Sequence, residues 1–168
     1  NSCGENCGIY GSDIKGGINN NEWRDYYRGR RKMGKPQWKR LNNLYDAELR
    51  ELDKNFGNLQ KVINTNLRKK TTFFAVTSDH GENLGDHGHV SHVFSLHEST
   101  TRIPMLIRYP EYFEKGVKSQ RPVQLVDLFP TVLELAKVED IPKNHGQSLL
   151  QKSTVPDRPL LTEYFRPL

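Results

Sequence analysis

Long apolar runs and cysteines are both scarce in this 168-residue chain. No run approaches the roughly 18 consecutive apolar residues that a membrane-spanning helix needs, so we predict no transmembrane segment. No apolar N-terminal stretch resembles a secretory signal, and the first methionine is Met33. We therefore expect a fragment whose N-terminal part is missing, and its localisation stays unknown. Cys3 and Cys7 are too few for a disulfide scaffold, and no second cysteine pair completes a zinc site.

Hydrophobic residues are also sparse, at 35% of the chain, and the mean hydropathy is −0.77. The length is that of one ordinary domain, so these values predict a thin hydrophobic core rather than a disordered chain. Positive charge is concentrated in residues 24–40, where eight cationic side chains accompany one acid, Asp25. Such a segment is either a solvated surface or a contact for a polyanion. It lacks the pattern of an RNA-recognition motif, so we do not expect nucleic acid as the partner.

The pattern of apolar residues predicts an α/β arrangement. Residues 1–22 are rich in Gly and Asn and indicate a loop-rich start, and residues 23–168 form the folded remainder. A long amphipathic helix is expected over residues 38–67, because apolar side chains recur there at spacings of three and four. These side chains are Leu41, Tyr45, Leu49, Leu52, Phe56, Leu59 and Ile63.

Three short apolar runs predict strands. The uncharged run at 71–78 reads as a buried strand of a parallel sheet, and the runs at 103–109 and 160–165 read as further strands. A second helix is expected from Asp127 to about residue 137, with Pro130 tolerated in its first turn. We interpret Asp127 as a helix cap rather than a catalytic residue.

The polar segment of residues 79–102 contains most of the chemistry-bearing side chains. Five of the six histidines of the chain lie here, interleaved with acids and glycines. The segment follows the carboxyl end of a predicted strand, which is where ligands bind in open α/β sheets. Asp79 and His80 supply a carboxylate and an imidazole from one turn, so we expect both to bind one metal ion. Arg102 is expected to tie this segment to the sheet.

Several stretches of this sequence resemble the sulfatases of the alkaline phosphatase superfamily. SDHGENLGDHG followed by ESTTRIPMLIRYP looks like the metal-binding loop and the strand after it. LYDAELRELDKNFGNL, VQLVDLFPTVLELAKV and NHGQSLL resemble the preceding helix, a later helix and its following turn. The resemblance implies a partial alkaline-phosphatase-like fold, namely the C-terminal part of the catalytic domain, with a mixed, mainly parallel sheet flanked by helices.

The resemblance also implies the chemistry of the site. Asp79 and His80 would bind one divalent cation, most often Ca²⁺, with Mn²⁺ or Zn²⁺ as alternatives. The family nucleophile is a cysteine in a Cys-x-Pro-x-Arg motif, oxidised to formylglycine. Neither cysteine of this chain fits that motif, so we expect the nucleophile in the missing N-terminal half and an inactive isolated chain.

His92 stands where many sulfatases have a substrate-contacting lysine, thirteen residues after the metal aspartate. A protonated histidine can neutralise a sulfate oxygen or protonate the leaving alcohol, so His92 is the predicted catalytic residue. His87 and His89 are candidates for substrate binding, or they fix the loop by hydrogen bonding.

Three functions remain open from the sequence. The first is hydrolysis of a sulfate ester, by resemblance. The second is a phosphate or phosphonate ester hydrolase, or a phosphoryl transferase, of the same superfamily, because the shared machinery suits both tetrahedral anions. The third is a non-catalytic module that binds a polyanion through residues 24–40.

Overall fold

The computed structural model describes residues 20–66, 71–151 and 159–164. The chain divides into two compact units. Within the described residues, the first unit contains 20–66 together with His80–Arg102, and the second contains 71–79, 103–151 and 159–164. Cys3 and Cys7 lie outside the described residues.

The first unit begins with helix α1, Asn20–Tyr27. Residues 1–19 of the predicted loop-rich start lie outside the described residues, and residues 20–22 belong to α1 rather than to a loop. The cause is local, because Glu22 in the first turn interacts favourably with the positive end of the helix dipole. The basic segment of residues 24–40 thus spans the end of α1, a turn, and the start of the next helix.

Helix α2, Lys35–Asn66, confirms the predicted long helix. Its start has two local causes: the backbone N–H of Gly34 donates to the side-chain oxygen of Gln37 at 3.0 Å, and Pro36 lies in the first turn, where its missing N–H costs little. The predicted end at residue 67 lies outside the described residues. Ala47 is completely buried, but most of the apolar stripe is accessible, and Leu52 is 63% exposed.

The second unit contains strands β1, Phe74–Thr77, and β4, Met105–Arg108. Both confirm predicted strands, although each is shorter than the apolar run that indicated it. The predicted parallel, buried environment of the first strand is wrong within the described residues. β1 pairs antiparallel with β4, from Phe74 opposite Arg108 to Thr77 opposite Met105, and its residues are only half-buried. A run of apolar residues indicates a strand but does not determine the direction of its neighbour.

Helix α4, Leu128–Leu135, follows a 3₁₀ turn at Leu125–Asp127. The predicted helix is confirmed, and Pro130 lies in its first turn. The buried Asp127 carboxylate accepts hydrogen bonds from the backbone N–H groups of Gln124 at 2.8 Å and Gln147 at 2.9 Å. Asp127 is thus structural, as predicted, but its carboxylate caps the 3₁₀ turn, and its side chain makes no capping hydrogen bond to α4. Residues 159–164 contain no strand, so the prediction at 160–165 is wrong over its described part.

Candidate metal and anion site in the histidine loop

The histidine loop, His80–Arg102, contains two short strands and a short helix within the first unit. β2, Asn83–Leu84, pairs antiparallel with β3, Val90–Ser91, around a 3₁₀ turn at Asp86–Gly88. Helix α3, Glu98–Thr101, closes the loop. The hairpin between β2 and β3 determines which side chains of the loop face one another.

Buried hydrogen bonds fix the base of the loop. The Gly81 N–H donates to the Thr100 carbonyl at 2.8 Å, and a Cβ at position 81 would lie 2.1 Å from the Ser99 carbonyl oxygen. Only glycine fits such a close approach of two backbone segments. The completely buried Asn83 donates to the Ser91 carbonyl at 2.6 Å and accepts from the Ser99 hydroxyl at 2.7 Å. Polar groups in this loop are therefore held in one arrangement.

Three non-glycine residues of the loop have left-handed backbone conformations. The φ angles are 52° at His87, 68° at Ser91 and 62° at Phe94. Each such conformation costs of order 1 kcal/mol, and residues of this kind concentrate at functional sites. The strain supports the interpretation of the histidine loop as the functional segment.

The first group of ligand side chains consists of His80, Glu82 and His92. The His80 and His92 rings lie 4.0 Å apart between centroids, and His92 Nδ1 donates to the Glu82 carboxylate at 2.9 Å. His80 Nδ1 donates to the Gly81 carbonyl at 2.8 Å. One potential ligand atom from each of the three residues lies within 4.8 Å of the others. The two Nδ1 hydrogen bonds fix the orientation of both rings, so Nε2 is the nitrogen of each ring with which a metal ion or an anion could interact.

Glu82 was not predicted as a site residue. The hairpin register explains its position, because Asn83 is opposite Ser91 and the next pair outward is Glu82 and His92. A carboxylate that accepts from one ring nitrogen of a histidine orients the other nitrogen, as is usual around metals. The spacing of ten residues between Glu82 and His92 indicates their contact only when the position of the turn between β2 and β3 is known.

Asp79 lies in the second unit, directly before His80 in the chain. Its side chain is exposed and accepts a hydrogen bond from the Ser78 hydroxyl at 3.4 Å. The cluster of three ligand side chains does not include Asp79. The structure thus brings His80 and His92 together and adds Glu82 to them.

The second group of histidines comprises His87, His89 and His97. His87 stacks on His97 with 3.9 Å between ring centroids, and His89 lies 5.5 Å from His97. The two predicted substrate-binding histidines therefore lie in a different cluster from His80 and His92. His97 was not singled out by the sequence; its carbonyl accepts the backbone N–H of Thr100 at 2.9 Å, at the start of α3.

Arg102 forms an ion pair with Glu98 at 3.4 Å, one turn earlier in the chain. Both side chains are about 80% exposed, so the pair adds little to stability. This contact is within the histidine loop, whereas we predicted a tie from Arg102 to the sheet.

Two tyrosines of α1 hold the second histidine cluster in place. The Tyr26 hydroxyl donates to the Gly88 carbonyl at 2.7 Å. The Tyr27 hydroxyl donates to the Val90 carbonyl at 2.8 Å, accepts from the Val90 N–H at 3.0 Å and lies 3.3 Å from His89 Nδ1. Burial raises the pKa of Tyr27 above 10.0, and its hydrogen bond to Val90 partly opposes that rise. No sequence pattern indicated this pair.

Comparison with known proteins identifies the relatives of this chain. The sulfatase family profile matches residues 17–138. A sulfatase of Formosa agariphila is 30% identical over 68% of this chain and 22% of its own length. Arylsulfatase K of Gallus gallus is 32% identical over 69% of this chain and 21% of its own length. The chain thus spans about a fifth of the length of the curated relatives it matches.

A solved structure shows the same fold. The structure of BT4656 in complex with its substrate D-glucosamine-2-N,6-O-disulfate aligns with a TM-score of 0.64 and 30% identity, covering 79% of this chain and 27% of that one. This match confirms the predicted partial α/β fold. In the described ranges no helix combines the length and apolarity needed to cross a membrane. Sulfatases use a divalent metal, and His80, Glu82 and His92 form a group that could hold one. The family match over residues 17–138 and these relatives establish that the chain belongs to the sulfatase family.

Proposed function

We propose that this chain forms part of the catalytic domain of an enzyme that hydrolyses sulfate esters. The observation that carries the proposal is the cluster of His80, Glu82 and His92, which lies in the segment matched by the family profile. The cluster combines groups that can hold a cation with a group that can contact an anion. Within these 168 residues the proposal assigns no nucleophile.

Asp79 and His80 bind the divalent cation in this proposal. The residue types are compatible with such an ion, because His80 contributes an imidazole nitrogen and Asp79 an anionic oxygen from the adjacent residue. When bound, the cation neutralises negative charge on the sulfate oxygens. We propose calcium as the ion, and Mn²⁺ and Zn²⁺ are the alternatives, because imidazole and carboxylate together also suit those ions.

His92 contacts the sulfate ester. Its Nδ1 hydrogen bond to Glu82 fixes the ring, so Nε2 can donate to a sulfate oxygen or to the leaving alcohol. Glu82 is a positioning residue for His92. His87 and His89 contact the substrate rather than the cation, because their rings lie in the second cluster with His97.

Residues 24–40 contact a polyanionic part of the substrate. Seven of the eight cationic side chains in this segment are exposed, in the turn and at the flanking helix ends. They are Arg24, Arg28, Arg30, Arg31, Lys32, Lys35 and Lys39. An exposed cationic surface of this kind attracts anionic polymers and raises their local concentration.

Metal titration of the chain tests the cation site. Ca²⁺, Mn²⁺ and Zn²⁺ are titrated separately into the parent chain, Asp79→Ala and His80→Ala, with His145→Ala as a control outside the histidine loop. We expect Asp79→Ala and His80→Ala to weaken Ca²⁺ binding at least about tenfold, because each removes a ligand. Loss of Zn²⁺ binding in His80→Ala with unchanged Ca²⁺ binding in both variants would contradict the calcium assignment.

Activity of the full-length protein that carries this chain tests the reaction. An aryl sulfate and the matching aryl phosphate are compared as substrates, because both anions suit the same cation and histidine. We expect hydrolysis of the sulfate ester to exceed that of the phosphate ester. Faster turnover of the phosphate ester would replace the proposed reaction with the phosphoesterase alternative.

A further inference from the structure

A shallow open cleft lies between the end of α1, the turn after it, and the histidine loop. Tyr26, Tyr27, Arg31, Lys32, Met33 and His89 contribute to its lining. Its volume of about 590 Å³ is within the range of about 300–1,000 Å³ that is usual for small-ligand sites. All of its lining residues belong to the first unit. The cleft therefore joins the basic segment to the second histidine cluster.

The charge of the cleft is positive and is held in place. The Arg31 guanidinium donates to Glu22 at 2.6 Å, which orients it along the wall of the cleft and partly neutralises it. Lys32 makes no ion pair within the part of the chain that the structure describes, and its side chain is exposed. An incoming anion would therefore face less competition from carboxylates at Lys32 than at Arg31.

His89 supplies a further donor to the lining of the cleft. The Tyr27 hydroxyl lies 3.3 Å from its Nδ1, which leaves Nε2 for a ligand. The Tyr27 and His89 rings lie 6.0 Å apart between centroids, at an angle of 38° between their planes. The cleft is thus lined by two cationic side chains, Arg31 and Lys32, and by the His89 imidazole, which are groups that suit a sulfate or carboxylate ligand.

The cleft lies close to the proposed catalytic histidine along the chain. His89 precedes His92 by three residues, which a fully extended backbone spans in at most about 11 Å. One oligomeric ligand can therefore contact both positions, whereas a single small unit occupies one of them.

We propose that this cleft is a second anion subsite, which binds a sulfated or carboxylated unit next to the unit whose ester is cleaved. The inference rests on the proposed sulfatase function and names its substrate class, an oligomeric polyanionic saccharide. Lys32 and His89 bind the neighbouring anionic group, and Tyr26 and Tyr27 form the apolar floor against which a sugar ring packs. The subsite gives preference for longer substrates.

Binding to the 168-residue chain provides the first test. The probes are a heparin tetrasaccharide, the monosaccharide D-glucosamine-2-N,6-O-disulfate, and a single-stranded oligonucleotide with the charge of the tetrasaccharide. Lys32→Glu is compared with Lys61→Glu, which makes the same charge change at an exposed position of α2 outside the basic segment. We expect Lys32→Glu to weaken tetrasaccharide binding roughly fivefold or more and Lys61→Glu to weaken it less than twofold. Monosaccharide binding should change little in either variant.

Three outcomes would overturn the subsite. Equal losses in Lys32→Glu and Lys61→Glu would show that only the net charge of the chain matters, and unchanged binding in both would show that the cleft does not bind the tetrasaccharide. Oligonucleotide binding as tight as that of the tetrasaccharide, with the same loss in Lys32→Glu, would indicate a general anion surface. Circular dichroism of both variants checks that the fold is retained. His89→Gln, which keeps a side-chain hydrogen-bonding group, provides an independent variant of the cleft lining.

Hydrolysis by the full-length protein separates failure of this inference from failure of the proposed function. We expect Lys32→Glu to lower kcat/KM for the sulfated tetrasaccharide through KM, with the monosaccharide rate unchanged. If the parent hydrolyses neither sulfate ester, the proposed function itself is wrong. If it hydrolyses both and Lys32→Glu lowers neither, the function stands and the subsite is wrong.

Discussion

Tyr27 connects the first helix to the histidine loop through a single hydroxyl group. That hydroxyl donates to the carbonyl and accepts from the N–H of Val90, which is one of the few buried apolar residues. Because a β-strand edge otherwise leaves such groups unpaired, the phenol replaces a missing neighbouring strand. The residue is therefore structural, although it touches His89 in the proposed binding cleft.

Replacement of Tyr27 by Phe should destabilise the chain and change its response to alkaline pH. Two backbone groups lose their partner, so we expect a loss of about 1–3 kcal/mol in the free energy of unfolding at pH 7. The raised pKa means that above pH 10.0 the unfolded chain loses its phenol proton before the folded chain does. Stability of the parent should therefore fall as pH rises through this range, with a flatter dependence in Tyr27→Phe.

Urea unfolding between pH 7 and pH 11 measures both effects. Tyr112→Phe, at an exposed position of the second unit, is the control. Parallel pH dependence of the parent and Tyr27→Phe would show that this phenol does not contribute to the alkaline loss of stability.

His92 provides the corresponding prediction for activity. In the full-length protein, His92→Ala should lower kcat/KM roughly 10²-fold, the usual scale for one acid or anion-stabilising group. His92→Lys should retain more activity than His92→Ala, because lysine also supplies a cationic donor. Initial rates with an aryl sulfate measure both, and His145→Ala should behave as the parent. An alanine variant with undiminished rates would remove His92 from the reaction.

The predicted site included His80 and His92 but not Glu82, which the structure places beside them. His80 and His92 could be named from the sequence, because residue type and a family pattern suffice for that. Glu82 could not be named, because its contact with His92 depends on the register of a two-residue ladder. A shift of one residue in that ladder would turn Glu82 to the other face of the hairpin.

At the scale of elements, the histidine loop depends on backbone contacts that only glycine permits. Gly81 packs against the backbone of Ser99 and donates to Thr100. Helix α2 contains a contrasting glycine, Gly57, around which a Cβ would meet no atom within 4 Å. The two positions form a natural pair for comparison.

Substitution by alanine should have opposite effects at these two glycines. Gly81→Ala forces a Cβ into the Ser99 carbonyl, so we expect a destabilisation of about 1–3 kcal/mol or more and weaker metal binding by the loop. Gly57→Ala should stabilise α2 by roughly 0.5–1 kcal/mol, because alanine loses less backbone entropy in a helix. Unfolding in urea and a Ca²⁺ titration measure these effects. An equally tolerated alanine at both positions would contradict the described packing at Gly81.

Helices were easier to predict than strand pairings in this chain. The spacing of apolar residues in α2 depends only on the period of the helix, so almost the whole helix could be predicted from the sequence. The pairing of β1 with β4 depends on which strands come together, and an uncharged run such as Phe74–Thr77 suits either direction. The run at 160–165, which is apolar apart from Thr162 and Glu163, forms no strand over its described part.

At the scale of the whole molecule, little apolar surface is buried. Among the described residues, Ala47 and Val90 are the buried hydrophobic side chains, whereas Leu49, Leu52 and Leu59 on α2 are each at least half exposed. The low hydrophobic content predicted a thin core, and the structure agrees. The sequence pattern also predicted one apolar face on α2, but a pattern cannot show whether that face is covered.

The exposed face of α2 should make the isolated 168-residue chain prone to self-association. Contiguous apolar surface of this kind binds hydrophobic dyes and other copies of a chain. We expect fluorescence enhancement of anilinonaphthalene sulfonate and a sedimentation coefficient that rises with concentration. The double variant Leu52→Gln and Leu59→Gln should reduce both, with helix content retained. Concentration-independent sedimentation of the parent and no dye binding would contradict this prediction.

The hydrogen bonds from α1 to the histidine loop join residues that are far apart in sequence. Tyr26 and Gly88 are separated by 62 residues, and Tyr27 and Val90 by 63. Glu82 and His92, in contrast, are separated by ten. Closing a long segment costs more entropy than closing a short one, so distant contacts form later during folding. The two histidine clusters should therefore form one after the other during folding. The hairpin first brings His80 and His92 together, and the second cluster reaches its final arrangement only after α1 has contacted the loop.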